Sequence, residues 1–177
     1  MPTGVSWVET LASLQADGPA LTTNNVSTSI INAQAKAIIK SNSLFIGKKF
    51  KISFTGRVTT VASASTAHSI SVLLGATVIF TSPFSNAATN ATNLGFEGEI
   101  TLTCRAIGTS ANFIGGGHIT AFNQASGALT VGGTLPITPV VGSNFDSTVI
   151  QSVDFQMLST ASITSIQLTQ YSFESMN

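Results

Sequence analysis

An all-β sandwich is the fold this sequence predicts, and three observations predict it. Apolar and polar residues alternate with period two over most of the chain from residue 44 onward, the mark of half-buried strands. Turn-forming residues interrupt that alternation roughly every 8–15 residues, the spacing of an all-β architecture. No long segment repeats its apolar residues at clear helical spacing.

Taken in order, residues 1–25 read as an N-terminal arm with little periodicity, in which Trp7, Val8, Leu11 and Leu14 suggest a short amphipathic turn of helix. Such an arm either tucks onto the domain or docks on a neighbour. The domain itself is expected over 26–177. SIINAQAKAIIKSN (29–42) is ambiguous: Ile30, Ile31, Ala35 and Ile38 fit a helix, while Ala33, Ala35, Ala37 and Ile39 alternate as in a strand. In an all-β context a preceding, ninth strand is favoured.

In GKKFKISFTGRV, Phe50, Ile52, Phe54 and Val58 share one face, with Lys49, Lys51, Ser53, Thr55 and Arg57 opposite. HSISVLL (68–74) and TVIFTS (77–82) are joined by Gly75-Ala76, a two-residue loop with glycine first, as a type II′ hairpin prefers. FEGEITLTCRAI (96–107) sets Ile100, Leu102 and Cys104 against Glu99, Thr101, Thr103 and Arg105. NFIGGGHITAFN (112–123) is interrupted by Gly115, Gly116 and Gly117, which implies a bulge or a close backbone approach. GALTV (127–131), STVIQSVDFQML (147–158) and ITSIQLTQYSFES (163–175) complete a set of about eight antiparallel strands. Eight strands in hairpin pairs point to a jelly-roll β-sandwich, with a small barrel as the alternative.

Composition narrows the function. Seven Lys and Arg balance seven Asp and Glu, and charged residues make up 8% of the chain, against about 25% in an ordinary domain. Ser and Thr together supply 47 of 177 residues, and 58–96 and 106–145 carry no charge at all. Near-zero net charge promotes association, so the surface is expected to be covered by copies of itself or by a partner. Neutrality argues against nucleic-acid binding. No apolar run approaches the roughly 18 residues of a membrane span. The N-terminus shows neither the basic nor the apolar region of a signal peptide. The single Cys104 excludes an internal disulfide.

Several stretches resemble a group of small virion proteins of tailed bacteriophages: SLFIGKKFKISFTGRVTT, SISVLLGATVIF, and the segment FDSTVIQSVDFQMLSTASITSIQLTQYSFESMN. Gly47, Gly56, Gly75, Asp146, Asp154 and the stretch Glu174 to Asn177 fall where that pattern has them. The resemblance spans about residues 30–177 and omits the arm. It implies a jelly-roll protein on the outer surface of a phage head, made in the host cytoplasm. Such a subunit decorates, or cements, the major capsid protein and is commonly a homotrimer. A receptor- or carbohydrate-binding head or tail fibre module is the alternative.

No catalytic constellation, metal site or cofactor motif is expected. His68 and His118 lie fifty residues apart without the spacing of a zinc site. Glu97 and Glu99 share a strand face and read as a solvated or salt-bridged pair rather than an acid–base couple. Cys104 lies on the apolar phase of its strand, as a buried cysteine would. Partner binding is assigned instead to Trp7 and to a basic stripe, Lys36, Lys40, Lys49, Lys51 and Arg57, with Lys48 beside it. Among Phe80, Phe84, Phe113, Phe122 and Phe145, most are expected as core residues or loop plugs and one or two at a subunit interface.

Overall fold

The computed structural model describes residues 7–60, 66–86, 90, 92–122, 129–136, 138–160 and 163–176. Along the chain it contains β1 (Val8–Ser13), β2 (Thr28–Ser29), a single 3-10 turn (Ala33–Ala35), β3 (Ile38–Ile39), β4 (Lys49–Thr60) and β5 (Thr66–Leu74). These are followed by β6 (Thr77–Asn86), β7 (Leu94–Ala106), β8 (Asn112–Phe122), β9 (Leu129–Leu135), β10 (Gln151–Ser159) and β11 (Ile163–Met176). Two antiparallel sheets face each other. One runs β1-β11-β4-β7-β8-β9 and the other β2-β10-β5-β6, with β3 also on β10.

The all-β sandwich is therefore the observed fold, with eleven strands among the described residues rather than eight. The eight expected strands are β4 to β11. Of these eight, the first lies beside the last and the second beside the seventh, the outer couplings of a jelly roll. Inward of them, a β5/β6 hairpin and a β7-β8-β9 meander complete the sheets.

The three extra strands come from the N-terminal part. Residues 8–13 form a strand on β11 and not a turn of helix, because the edge of β11 offers hydrogen bonds that six isolated residues lack. The segment after it stays on the sheet: Leu14 N–H donates to Tyr171 O (3.0 Å), Gly18 N–H to Leu168 O (2.9 Å) and Leu21 N–H to Ile166 O (2.8 Å). Leu21 is buried in the core. The arm thus tucks onto the sandwich. The single strand expected in 29–42 is instead β2, the 3-10 turn and β3, two short pairings separated by a bend.

Alternation along β4 buries Phe50, Ile52, Phe54 and Val58, as read from the sequence. Within the six-stranded sheet Phe50 stacks on Phe173 at 5.1 Å, and across to the second sheet Phe54 meets Phe155 at 5.2 Å. Each large apolar side chain fully withdrawn from water contributes about 1.5–3 kcal/mol. Gly75 opens the β5/β6 loop at φ +58°, the conformation a type II′ turn demands of its first central residue. The glycines of β8 mark a close approach rather than a bulge. The register from Gly115 to Gly117 is unbroken, the Phe80 ring lies over Gly115, and the Glu99 backbone lies against Gly117. Residues 127 and 128 of the expected GALTV strand fall outside the described residues.

Candidate docking surface

The groups with chemical potential are mostly occupied. Cys104 is fully buried, its thiol donates to Ala106 O at 3.3 Å, and burial pushes its pKa up. His68 is buried with its ring 5.1 Å from that of Phe84. Among the described residues no group of three or more His, Cys, Asp or Glu side chains is placed to hold a metal ion.

On the outer face of the six-stranded sheet, strand register places Ser172, Ser53, Glu99 and His118 in one row across β11, β4, β7 and β8. An open groove of about 380 Å³ lies there, lined by Ser53, Thr55, Glu97, Glu99, His118 and Gln170. Lys51 Nζ sits 2.6 Å from Glu99 Oε2, so one of the paired carboxylates is neutralised.

The predicted basic stripe is not one face. Lys49, Lys51 and Arg57 project outward from β4, Lys36 lies against β10, and Lys40 borders a second groove near β1. Arg57 clamps the arm: its guanidinium reaches Asp17 (2.8 Å) and Gln167 (2.7 Å). Lys36 pairs with Asp154 at 3.1 Å. Three of the stripe's cations are thus spent within the chain, and Trp7, half-exposed, stands well apart from Arg57 along the sheet edge.

Most of the five phenylalanines lie in the core, as expected. Phe80, Phe113 and Phe145 are buried core residues and Phe84 is partly buried against the core, because each falls on or beside the inward phase of its segment. The side chain of Phe122 lies outside the described residues.

What the sequence reading missed is an apolar end. Phe45, Ile46, Ile107, Val149 and Ile150 are 48–67% exposed, all on loops at the end where β4 and β10 begin and β7 finishes. Those loops are hydrogen-bonded to one another. Gly47 N–H donates to Cys104 O (2.9 Å), Ser147 N–H to Gly108 O (2.9 Å), Gly108 N–H to Ser147 Oγ (2.8 Å), and Asn42 N–H to Ser147 O (2.9 Å). Apolar side chains are therefore held outward on a pinned platform. The available signal was Phe45-Ile46 before Gly47: two adjacent large apolar residues cannot both point inward from an extended strand.

A second groove, of about 270 Å³, opens beside β1, with Leu11, Ile38, Ile39 and Phe50 along it and Glu9, Lys40 and Lys48 at its rim. Lys48 Nζ lies over the rings of Phe45 (5.5 Å) and Phe50 (5.8 Å). Burial lowers the Lys48 pKa, and the charge of Glu9 opposes that shift.

No known protein family and no curated protein matches the chain. Among solved structures, it is similar to the CBM2 module of the evolved Dit of Lactobacillus casei BL23 phage J-1, at 11% sequence identity, with 97% of each chain covered and a TM-score of 0.41.

Proposed function

We propose that this chain is a non-enzymatic structural subunit of a tailed-phage particle, which decorates the head by docking its apolar end on the major capsid protein. The observation that carries the reading is that end: five large apolar side chains held exposed on hydrogen-bonded loops. A solvated monomer gains nothing from such a platform, whereas a partner surface that covers it removes the apolar area from water. The resemblance of 30–177 to phage virion proteins supports the same reading, as does the scarcity of charge. Repeated copies on a symmetric shell would multiply a modest single contact through effective concentration. The resemblance implies a trimer, whereas the free edge of the sheet offers a contact of two-fold symmetry.

Occupancy on purified particles tests this. Ile46→Glu with Ile150→Glu places two charges in the centre of the contact, where a lost anchor costs roughly 2 kcal/mol or more. Occupancy should fall at least tenfold at limiting subunit, a factor that corresponds to about 1.4 kcal/mol. Undiminished decoration by the folded double variant rules the reading out.

The outer groove favours one second reading, a carbohydrate-binding module. Glu97, His118 and Gln170 offer hydrogen-bonding groups to sugar hydroxyls, although Phe54 and Tyr171 are buried and present no ring for stacking. On this reading Glu97→Gln with Gln170→Ala abolishes binding to a glycan array while leaving particle decoration intact.

A further inference from the structure

We infer that the outer edge of β1, with the groove beside it, is a contact between two copies of this chain related by a two-fold axis. The inference is independent of the apolar end and of any phage partner.

The first observation is an open edge. β1 ends the six-stranded sheet, and among the described residues no strand lies on its outer side. Of the other edges, β9 (LTVGGTL) at the far side of the same sheet is likewise without lysine or proline but is followed directly by Pro136, and the edges of the second sheet are short or blunted. β2 and β3 are two residues long, and β6 carries Pro83, a residue that blunts a sheet edge. β1, VETLAS, has neither lysine nor proline, and the one irregularity in its ladder with β11 is a register shift at Leu11. Trp7, Val8 and Leu11 are exposed on it or next to it.

The second observation is the groove along that edge. Glu9 and Leu11 form its β1 side, Ile38 and Ile39 the opposite side, and Lys40 and Lys48 flank them. A strand added to β1 lies about 4.8 Å away. Its side chains on this face then project across the mouth of the groove.

A second copy satisfies both features. Antiparallel pairing of β1 with its own copy extends the ladder, joins the two six-stranded sheets edge to edge, and uses the same patch twice, as a two-fold contact requires. The rim of each copy holds two lysines and one glutamate, so pairing can set the Glu9 of each copy against a lysine of the other. Trp7, one residue before β1, adds an aromatic at each end of the pair. Zero net charge means that no long-range repulsion opposes the approach.

Sedimentation velocity of the full chain over a concentration series tests the contact. The wild type should pass from monomer to dimer. Leu11→Lys should weaken the dimer by about tenfold or more, since edge lysines oppose strand addition. Glu9→Lys and Lys40→Glu should each weaken it, and an equimolar mixture of those two variants should pair better than either alone. Circular dichroism and melting curves confirm that each exposed-site variant is folded. Ile46→Glu with Ile150→Glu should leave the dimer unchanged, which separates this contact from the docking end. A strictly monomeric wild type, a trimer, or a dimer indifferent to both Leu11→Lys and Glu9→Lys overturns the inference.

Discussion

Gly116 and Gly117 stand side by side on β8 and face opposite constraints. A Cβ on Gly117 would collide with the Glu99 backbone of β7, and backbone in the middle of a sheet cannot swing aside. A Cβ on Gly116 would find its nearest atom, Leu135 O, at 3.9 Å, an ordinary contact distance. Gly117→Ala is therefore expected to cost about 1–3 kcal/mol, the range for overpacking. Gly116→Ala should change stability by less than about 1 kcal/mol, with the entropy it removes from the unfolded chain acting in its favour. Urea unfolding of the two variants decides the matter; equal losses would mean that the strand as a whole, and not the Glu99 contact, demands glycine. From sequence the triplet announced a close approach without saying which glycine carried it, since that depends on a neighbour across the sheet.

The segment between Thr28 and Lys40 shows what an element can and cannot reveal of itself. The alternation read there holds only in its second part: Ala35, Ala37 and Ile39 are buried while Ile38 and Lys40 face out, but Ala33 is exposed on the 3-10 turn. A continuous ladder does not follow, because the segment bonds to 151–153 at the start of β10 and to 155–157 further along, and the chain bends between the two. The bend is held by Asp154 of β10, which accepts hydrogen bonds from Ser29 Oγ (2.6 Å) and Gln156 Nε2 (3.0 Å) and pairs with Lys36 Nζ (3.1 Å). Partial burial works against the carboxylate, but these bonds and the lysine charge together hold its pKa below the ordinary 3.8. In the unfolded chain the carboxyl takes up its proton first as pH falls. The contribution is thus fully present above 3.8 and drains away as pH drops toward the lower folded value. Asp154→Asn should be less stable than wild type at neutrality, and the gap should narrow in acid below 3.8, as followed by urea midpoints. A constant gap would show that Asp154 acts through shape alone. Phe45 and Ile46 carried a signal that the period-two pattern masked, for a related reason. The alternation reads as starting at residue 44, but Lys48 N–H closes a turn on Phe45 O while Gly47 N–H bonds across to Cys104 O, and β4 begins only at Lys49.

At the scale of the whole molecule, local signals identified strands and one hairpin, but not which distant strands would meet. Gly75-Ala76 fixes β5 beside β6 because two residues leave no alternative. Nothing within Lys49–Thr60 says that its neighbours are Leu94–Ala106 and Ile163–Met176, or that Val8–Ser13 covers the far side of the latter. Charge placement was equally opaque, since Arg57 and Asp17 look unrelated in the chain and touch only after β11 has brought the arm across. The pairing of β4 with β11 has a consequence for synthesis. β4 lies at the heart of the six-stranded sheet, yet one of its two partners is made more than a hundred residues later. A growing polypeptide that has reached β10 still carries a twelve-residue β4 with one edge bare and Phe50, Ile52 and Phe54 without the strand that flanks them. Loops that long close slowly, and bare edges recruit other chains meanwhile. Translation therefore leaves this sandwich open until its last strand emerges, and a pause before Ile163 is the moment at which neighbouring nascent chains would tangle.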